Sequence, residues 1–461
     1  MKVALINPAA KGTGATVEPL NLGYIAGYLE QNGIEVRIID QMAGDEVSRE
    51  TAAFHPDIIG ISCMTPLAIE VYKIADMCRK QRILTVMGGP HPSAMPQEAL
   101  EHADVVVVGE GEKAMLDIVK DGITSGIVSR PYLENIDETP LPPRHLMKQK
   151  FYLHTVSKLK KSMLAFLGPD LPSVKTGAVL TSRGCPFRCI FCPNSLRQPP
   201  VRFHSAERVL DEVRQLKGDY GIEAMAFLDE NFLVNKARVE EICRKMADEK
   251  LNILWSCAAS AHYVNRQTAA MIREAGCRQV IFGFESGSQR ILDILDKSAT
   301  VEQNKEAIRV CKEAGLMVSG LFMLGNPTET IEDVRLTQKF ILENEPDEFY
   351  VNITTPYPDT KLWAMCNDKI PRPINWGDFY QGSLNVYPFS PFSKAELGRL
   401  FVETMLVKPA ASSRDWRSAL RYPRESIGWL LRHPITAIKI ILGKYVMRGN
   451  RAQIPSVRGK A

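Results

Sequence analysis

The sequence predicts an α/β protein. It reads as a doubly wound, Rossmann-like domain over residues 1–135, a linker over 136–174, a partial (β/α)6 barrel over 175–365, and a mostly helical, basic region over 366–461. Three observations predict this. In roughly the first 120 residues, near-continuous apolar runs alternate with helix-period segments, the pattern of strands buried on both faces of a parallel sheet. After a Pro-rich break, "NIDETPLPPRHL", the alternation resumes for six more units, fewer than the eight of a closed barrel. The last stretch then gains charge. Lys408 to Ala461 holds twelve Lys or Arg against Asp415 and Glu425, a net +10 in a chain of +4, which leaves −6 for the rest.

Each element has its own warrant. In the first domain "KVALINP", "EVRIID", "IIGISCM", "LTVMGGP" and "ADVVVVGEGE" read as five strands. Between them "LNLGYIAGYLEQNG" has helical spacing with Gly33 as its stop, followed by helices in "DEVSRETAAFH", from Leu67 to Arg79, and in "PQEALEH". A doubly wound sheet binds ligands beyond the carboxyl ends of its strands. In the second domain "AVLTS", "AMAFLDE", "ILWSCAA", "QVIFGFE", "VSGLFML" and "EFYVNIT" read as strands. Ser205 is an N-cap for "SAERVLDEVRQLK". "SPFSKAELGRLFVETML" reads as a helix, and "SIGWLLRHPITAIKIILGKYVMRG" mixes apolar with basic positions, as a helix packed on the barrel or one lying on a membrane surface would.

The bulk properties bound the class. A chain of 461 residues, 45% hydrophobic and 24% charged, is an ordinary soluble globular protein. No apolar run reaches the length of a membrane span, and the apolar start reads as a buried strand rather than a signal peptide, so the expected location is the cytoplasm. Apart from one triplet the ten cysteines are scattered, as in a reducing compartment.

That triplet is "GCPFRCIFCPNS", with Cys185, Cys189 and Cys192 spaced C-x3-C-x2-C straight after the first barrel strand. Zinc sites pair C-x2-C twice, and no second pair follows. Three thiolates in place of four leave one corner of an iron–sulfur centre open. "FLDEN" ends a strand on Asp229, Glu230 and Asn231, either a helix cap or an acidic grip on an ammonium. "GFESG" ends one at Glu285, and "GLFMLGNP" ends one at Asn326 and Pro327.

This arrangement resembles the radical S-adenosylmethionine (SAM) superfamily. The resemblance covers about residues 175 to 365. It implies a [4Fe–4S] cluster on the three cysteines and SAM chelated to the free iron, cleaved to a 5′-deoxyadenosyl radical. It places Phe191 near the adenine, Glu230 and Asn231 at the methionyl amine, Glu285 at the ribose or the amino-acid end, and Asn326 and Pro327 beside the base. Ser260 and His262 stand where many relatives carry Arg and Asp, which leaves the partner of the SAM carboxylate open.

The first domain resembles the cobalamin-binding domain found ahead of many such barrels, through "EPLNLGYIAGYL", Asp40 closing "EVRIID", "MGGPHPSAMPQEAL" and "VVVVGEGEKAM". The resemblance implies corrinoid contacts from Pro8, Ala9, Leu20, Leu22, Asp40, Ser62, Met64, Thr65, Gly88, Gly89, His91, Pro92, Gly109, Glu110, Gly111 and Glu112. Ala9 in "NPAAKG" stands where methionine-synthase-like domains carry the cobalt-ligating histidine, so no histidine ligation is expected. "CMTPL" is expected below the cobalt, and His91 is read as a backbone-bonded loop residue.

Together the resemblances imply a cobalamin-dependent radical SAM C-methyltransferase. It would pass the methyl of methylcobalamin to an unactivated carbon after the 5′-deoxyadenosyl radical has removed a hydrogen. Oxidative cyclisation or another radical rearrangement on a tetrapyrrole, lipid or small metabolite is the alternative. Methylthiolation is disfavoured because residues 1–150 hold only Cys63 and Cys78, too few for a second cluster. A corrinoid carrier would not explain the triplet. Implied partners are a small-metabolite, lipid, tetrapyrrole or peptide substrate, a low-potential donor such as ferredoxin or flavodoxin, and a membrane surface met by the basic tail. No nucleic acid is expected. Tyr357 in "TPYPDT" is a candidate to line the substrate cavity.

Overall fold

The computed structural model describes residues 1–9, 18–154, 158–380 and 384–408. Its first sheet has six strands: β1 Lys2–Asn7, β2 Glu35–Asp40, β3 Ile58–Ser62, β4 Leu84–Gly88, β5 Val105–Val108 and β6 Gly126–Ser129. They are all parallel, in the order β2-β1-β3-β4-β5-β6. This is the flavodoxin-like doubly wound order, with its ligand crevice at the carboxyl ends where the order reverses beside β1 and β3. The sequence predicts five of the six. β6, "GIVS", escapes because only Val128 is buried, so it shows no apolar run.

The second sheet is also parallel. It comprises β7 Thr176–Val179, β10 Ala224–Phe227, β11 Leu254–Ala259, β12 Cys277–Glu285, β13 Met317–Leu324 and β14 Glu348–Ile353, in sequential order. A two-strand antiparallel ribbon, β8 Ser182–Arg183 with β9 Arg202–Phe203, brackets the cysteine loop. β7 and β10 are buried along their whole length, as strands covered on both faces must be. The helix Ala206–Tyr220 starts where its cap predicts, with Ser205 Oγ accepting from Arg208 N at 3.2 Å.

The stretch read as a linker does more than connect. Arg144 is fully buried between Glu18 of the first domain, at 3.3 Å, and Glu212 of the second, at 2.5 Å. It also donates to the carbonyl of Ala178 at 2.8 Å. Beyond the barrel the chain returns to the first domain, where Trp376, Phe379 and Tyr387 pack into the core built around Ala68, Val71 and Tyr72. The helix Lys394–Leu406 carries a full capping box from Ser393 and Glu396 and packs on β14. The basic segment beyond Lys408, with the amphipathic stretch it contains, lies outside the described residues. Among the described residues no helix is long and apolar enough to cross a membrane.

Candidate active site

The crevice of the first sheet opens into a cavity of about 460 Å³. Leu22, Ser62, Gly88, Gly89, Gly109, Glu110, Gly111 and Glu112 are among the residues that line it. Arg183 and Glu230, which flank the cysteine loop in the second domain, close its far side. The glycines explain how the backbone comes so near. A Cβ at Gly89, whose φ is +103°, would meet the backbone N and O of Cys63 at 3.0 Å. A Cβ at Gly88 would meet nothing closer than Val107 at 3.6 Å, so a side chain there is tolerated by the fold but grows into the cavity. Gly88→Val is therefore expected to weaken corrinoid binding at least tenfold, about 1.4 kcal/mol, and to leave the thermal midpoint nearly unchanged. Titration of cobalamin absorbance beside a melting curve checks both.

Several predicted contacts turn out otherwise. Glu110 and Glu112 do not reach freely into the cavity. Arg183 binds Glu112 at 2.6 Å and Glu110 at 3.1 Å, and Arg202 grips Glu110 with two nitrogens, at 3.0 and 2.9 Å. The "GEGE" acids are thus an inter-domain tie, and Arg183 also lies over the Tyr24 ring at 5.3 Å.

His91 is not a backbone-bonded loop residue. It is fully buried in the short helix Pro90–Ala94, with Nε2 2.9 Å from Tyr72 Oη and Nδ1 3.3 Å from Thr65 Oγ1, and its ring meets Trp376 edge-on. With both nitrogens engaged it holds the 63–67 loop in place rather than lining the cavity. Pro92 is buried in the same helix.

Asp40 is likewise internal. It accepts from Tyr152 Oη at 2.6 Å and Asn7 Nδ2 at 2.8 Å, and it caps the turn after β2. Leu20 and Pro8 are buried, and Ala9 N donates to Gln41 Oε1 at 3.2 Å. The remainder of "NPAAKG" lies outside the described residues. Met64 alone in "CMTPL" projects outward, 57% exposed.

In the second domain the loop after β8 carries the three thiols. It is anchored through Ile190, which donates to Leu295 O at 3.0 Å and accepts from Leu362 N at 2.9 Å. The cysteines, Glu230, Glu285 and Lys297 share one electrostatic neighbourhood. Burial pushes the Cys189 thiol up to about 12, against the pull of Lys297. Among the described residues no three ligating side chains converge tightly enough for one metal ion. Three thiols on one loop are the ligand set of a four-iron cluster with one iron left open.

At the end of β10, Asp229 is fully committed. It accepts from Thr181 N and Oγ1 at 3.2 and 2.8 Å, and from Ser182 Oγ. Glu230 has a hydrogen bond from the Gly184 backbone. Its carboxyl is raised by burial and by the Asp229 charge, so an incoming ammonium would stabilise its ionised form. Asn231 accepts from Ser260 N at 3.3 Å, and its buried Nδ2 has no partner, an unused donor in this corner. Ser260 itself caps the turn that holds His262.

Glu285 is bound to Lys297 at 2.9 Å and is not free. Asn326 is locked by Glu329, Met323 O and Thr354, and Pro327 is buried beside it. Phe191 packs with Ile190, Ile291, Leu295 and Leu362 on the flank of the loop. Tyr357 packs against the first-domain core and is not on the cavity. Sequence reasoning missed Arg144, Arg183, Arg202 and Lys297. The three arginines have partners far along the chain, and Lys297 meets Glu285 from twelve residues on, across a strand end and a helix.

The seam also holds His204. Its Nδ1 is 2.8 Å from Asp137 Oδ1, and its ring stacks near Tyr24. Burial lowers it to about 4, against the pull of Asp137. The fold therefore keeps it neutral, while the unfolded chain takes up a proton below about pH 6.5, so stability is lost as pH falls from 6.5 towards 4. At pH 5 the loss is about 2 kcal/mol. His204→Gln should flatten that part of a stability-against-pH curve measured by denaturant unfolding.

A doubly wound sheet with a glycine-rich crevice, facing a partial barrel with a three-thiol loop, defines a corrinoid-binding radical SAM enzyme. The comparisons agree. Residues 179–341 match the Radical SAM superfamily, and residues 9–119 match the B12 binding domain. The chain is 34% identical over 82% of its length to an uncharacterized methyltransferase, PH0819, of Pyrococcus horikoshii, and covers 85% of it. It is 26% identical to the anaerobic magnesium-protoporphyrin IX monomethyl ester cyclase of Rubrivivax gelatinosus, over 80% of this chain and 71% of that one. Among solved structures, the fold is shared with the radical SAM methyltransferase TsrM of Kitasatospora setae, which has cobalamin and a [4Fe–4S] cluster bound. The TM-score is 0.61 at 18% identity, covering 81% of this chain and 76% of that one. The chain belongs to the cobalamin-dependent radical SAM family, whose cofactors are a [4Fe–4S] cluster, SAM and cobalamin. The residues fit those groups: three otherwise uncommitted thiols, the unpaired Asn231 amide, and a cavity that a side chain at Gly88 would enter.

Proposed function

We propose that the chain methylates an unactivated carbon of a small metabolite, lipid, tetrapyrrole or peptide side chain admitted between its two sheets. The observation that supports this most is the shared cavity, with the first-domain glycines on one side and Arg183 and Glu230, beside the cysteine loop, on the other. Cys185, Cys189 and Cys192 would hold the cluster, and Gly88, Gly89, Gly109 and Gly111 would seat the corrinoid. When bound, these groups and SAM supply a radical to the substrate and a methyl group to join it.

The chain's own part is positioning and exclusion. Glu230, steadied by Gly184, would take the methionyl ammonium, and Asn231 Nδ2 would donate to the methionyl carboxylate beside it. Phe191, with the apolar cluster behind it, would shield the reacting centre from water. The Arg183 and Arg202 ties to Glu110 and Glu112 would keep the two domains in register, since a small misplacement costs rate steeply. A low-potential ferredoxin or flavodoxin would deliver electrons, and the basic tail would meet an anionic membrane surface. The test is anaerobic turnover of candidate substrate fractions with CD3-labelled SAM. A product that has gained the labelled methyl supports methylation, whereas a product with a new ring and no label would favour the cyclase reading that the second relative raises.

A further inference from the structure

Lys297 is a buried ammonium beside the cysteine loop, and the backbone is shaped around it. Its Nζ donates to Glu285 Oε1 at 2.9 Å, with the two side chains only 15% and 10% exposed. Three features hold the pair. The register of β12 against β13 slips between Gly283 and Glu285, which re-aims the carboxylate. Glu285 takes a φ of +62°, a left-handed conformation that residues other than glycine adopt only under strain. At Gly283 a Cβ would lie 2.4 Å from Glu285 Oε1 and 3.1 Å from Lys297 Nζ, so a side chain there would push the pair out of its present geometry. Of the ten described non-glycine residues with a positive φ, Glu285 alone is buried, and strain held in a buried site is grounds for a functional hypothesis. The turn that carries Lys297 is also tied to the cysteine loop, through Ile190 N to Leu295 O at 3.0 Å. The charge of Lys297 acts on Cys185, Cys189 and Cys192 alike, whereas Glu285 is felt by Cys189 and Glu230 by the other two.

We propose that Lys297, aimed by Glu285, is the cation that sets how readily the cluster accepts its electron. The proposal rests on the reading that the three cysteines hold a [4Fe–4S] cluster. The step concerned is transfer of one electron from a one-electron donor, which is oxidised, to the cluster, which is reduced; no bond forms or breaks. Added negative charge on a thiolate-bound cluster is stabilised by a nearby ammonium, and more strongly in a buried site than in water. Cluster potentials respond to charge and hydrogen bonding in this way. A salt bridge that served the fold alone would not need a glycine cradle, a register slip and a left-handed glutamate to hold it against these thiols.

The test is an EPR-monitored redox titration of anaerobically reconstituted full-length protein, with dithionite as reductant and iron counted in every sample. Lys297→Met is expected to keep its iron and to shift the cluster potential negative by about 60 mV, the one-electron equivalent of a tenfold change. Lys297→Arg should stay near the parent value. Glu285→Gln, which strips the counter-charge from the ammonium, should shift it positive. If Lys297→Met costs the protein its iron, Glu285→Gln decides: a positive shift supports the proposal, and an unmoved potential overturns it. A Lys297→Met protein with full iron and the parent potential also overturns it. Parent protein that holds no four-iron cluster would instead defeat the reading beneath it.

Discussion

Replacing Cys185, Cys189 and Cys192 together by Ala should take anaerobically reconstituted protein from about four irons per chain to none. It should also abolish formation of 5′-deoxyadenosine from SAM under reducing conditions. The loop has backbone ties of its own. Ile190 is bonded on both sides, Cys192 N donates to Cys189 O at 2.9 Å, and Ser195 N donates to Cys192 O at 2.9 Å. Cys185 and Cys192 are only half-buried, so of the three thiols Cys189 alone contributes packing. The triple variant should therefore stay folded, with a circular dichroism spectrum and corrinoid binding like the parent's. Loss of iron can then be assigned to lost ligands. Iron retained by that variant would mean that the metal sits elsewhere.

The largest expected effect on stability comes from Arg144→Ala. The guanidinium lies fully buried between Glu18 and Glu212, each about 1% exposed, and Gln149 adds a bond to Glu18 at 2.9 Å. Removing it leaves Glu18 without a cation and Glu212 with only Arg208, at 3.5 Å, at the seam between the domains. Breaking a buried pair from one side costs about 3–5 kcal/mol, far more than the pair's net worth. Denaturant unfolding should show a loss of that size, or separation of one transition into two as the domains uncouple. Adding Glu18→Gln and Glu212→Gln should restore a substantial part, because neutral amides do not need the cation. A loss under about 1 kcal/mol for the single variant would mean that the seam is solvated and the tie unimportant.

The fold was largely legible because its signals are local. Apart from β6, whose residues carry no apolar run, and β7, which only overlaps "AVLTS", the other ten strands of the two long sheets fall in the runs read as strands. Gly33 and Ser205 mark a helix end and a helix start through their own conformations. The cysteine loop was legible for the same reason, since its three donors fall within eight residues of sequence. What escaped depends on residues brought together from afar. Nothing near Arg183 announces Glu110 and Glu112, some seventy positions earlier. Nothing in "GGPHPS" reveals that Tyr72 and Thr65 claim both nitrogens of His91. The acids of "GEGE" read as ligand contacts because charged residues at strand ends usually face a crevice, and their arginines come from the other domain.

The central claim is that one chain spends SAM in two ways, as radical source and as methyl donor, with cobalamin between them. The most direct measurement is of the SAM-derived products made under strict anaerobiosis with a strong reductant, with and without added cobalamin. The account predicts 5′-deoxyadenosine that needs the three cysteines, together with S-adenosylhomocysteine that appears only when cobalamin is present and is reduced by Gly88→Val. Formation of 5′-deoxyadenosine alone, with no S-adenosylhomocysteine at any cobalamin concentration, would contradict methyl transfer.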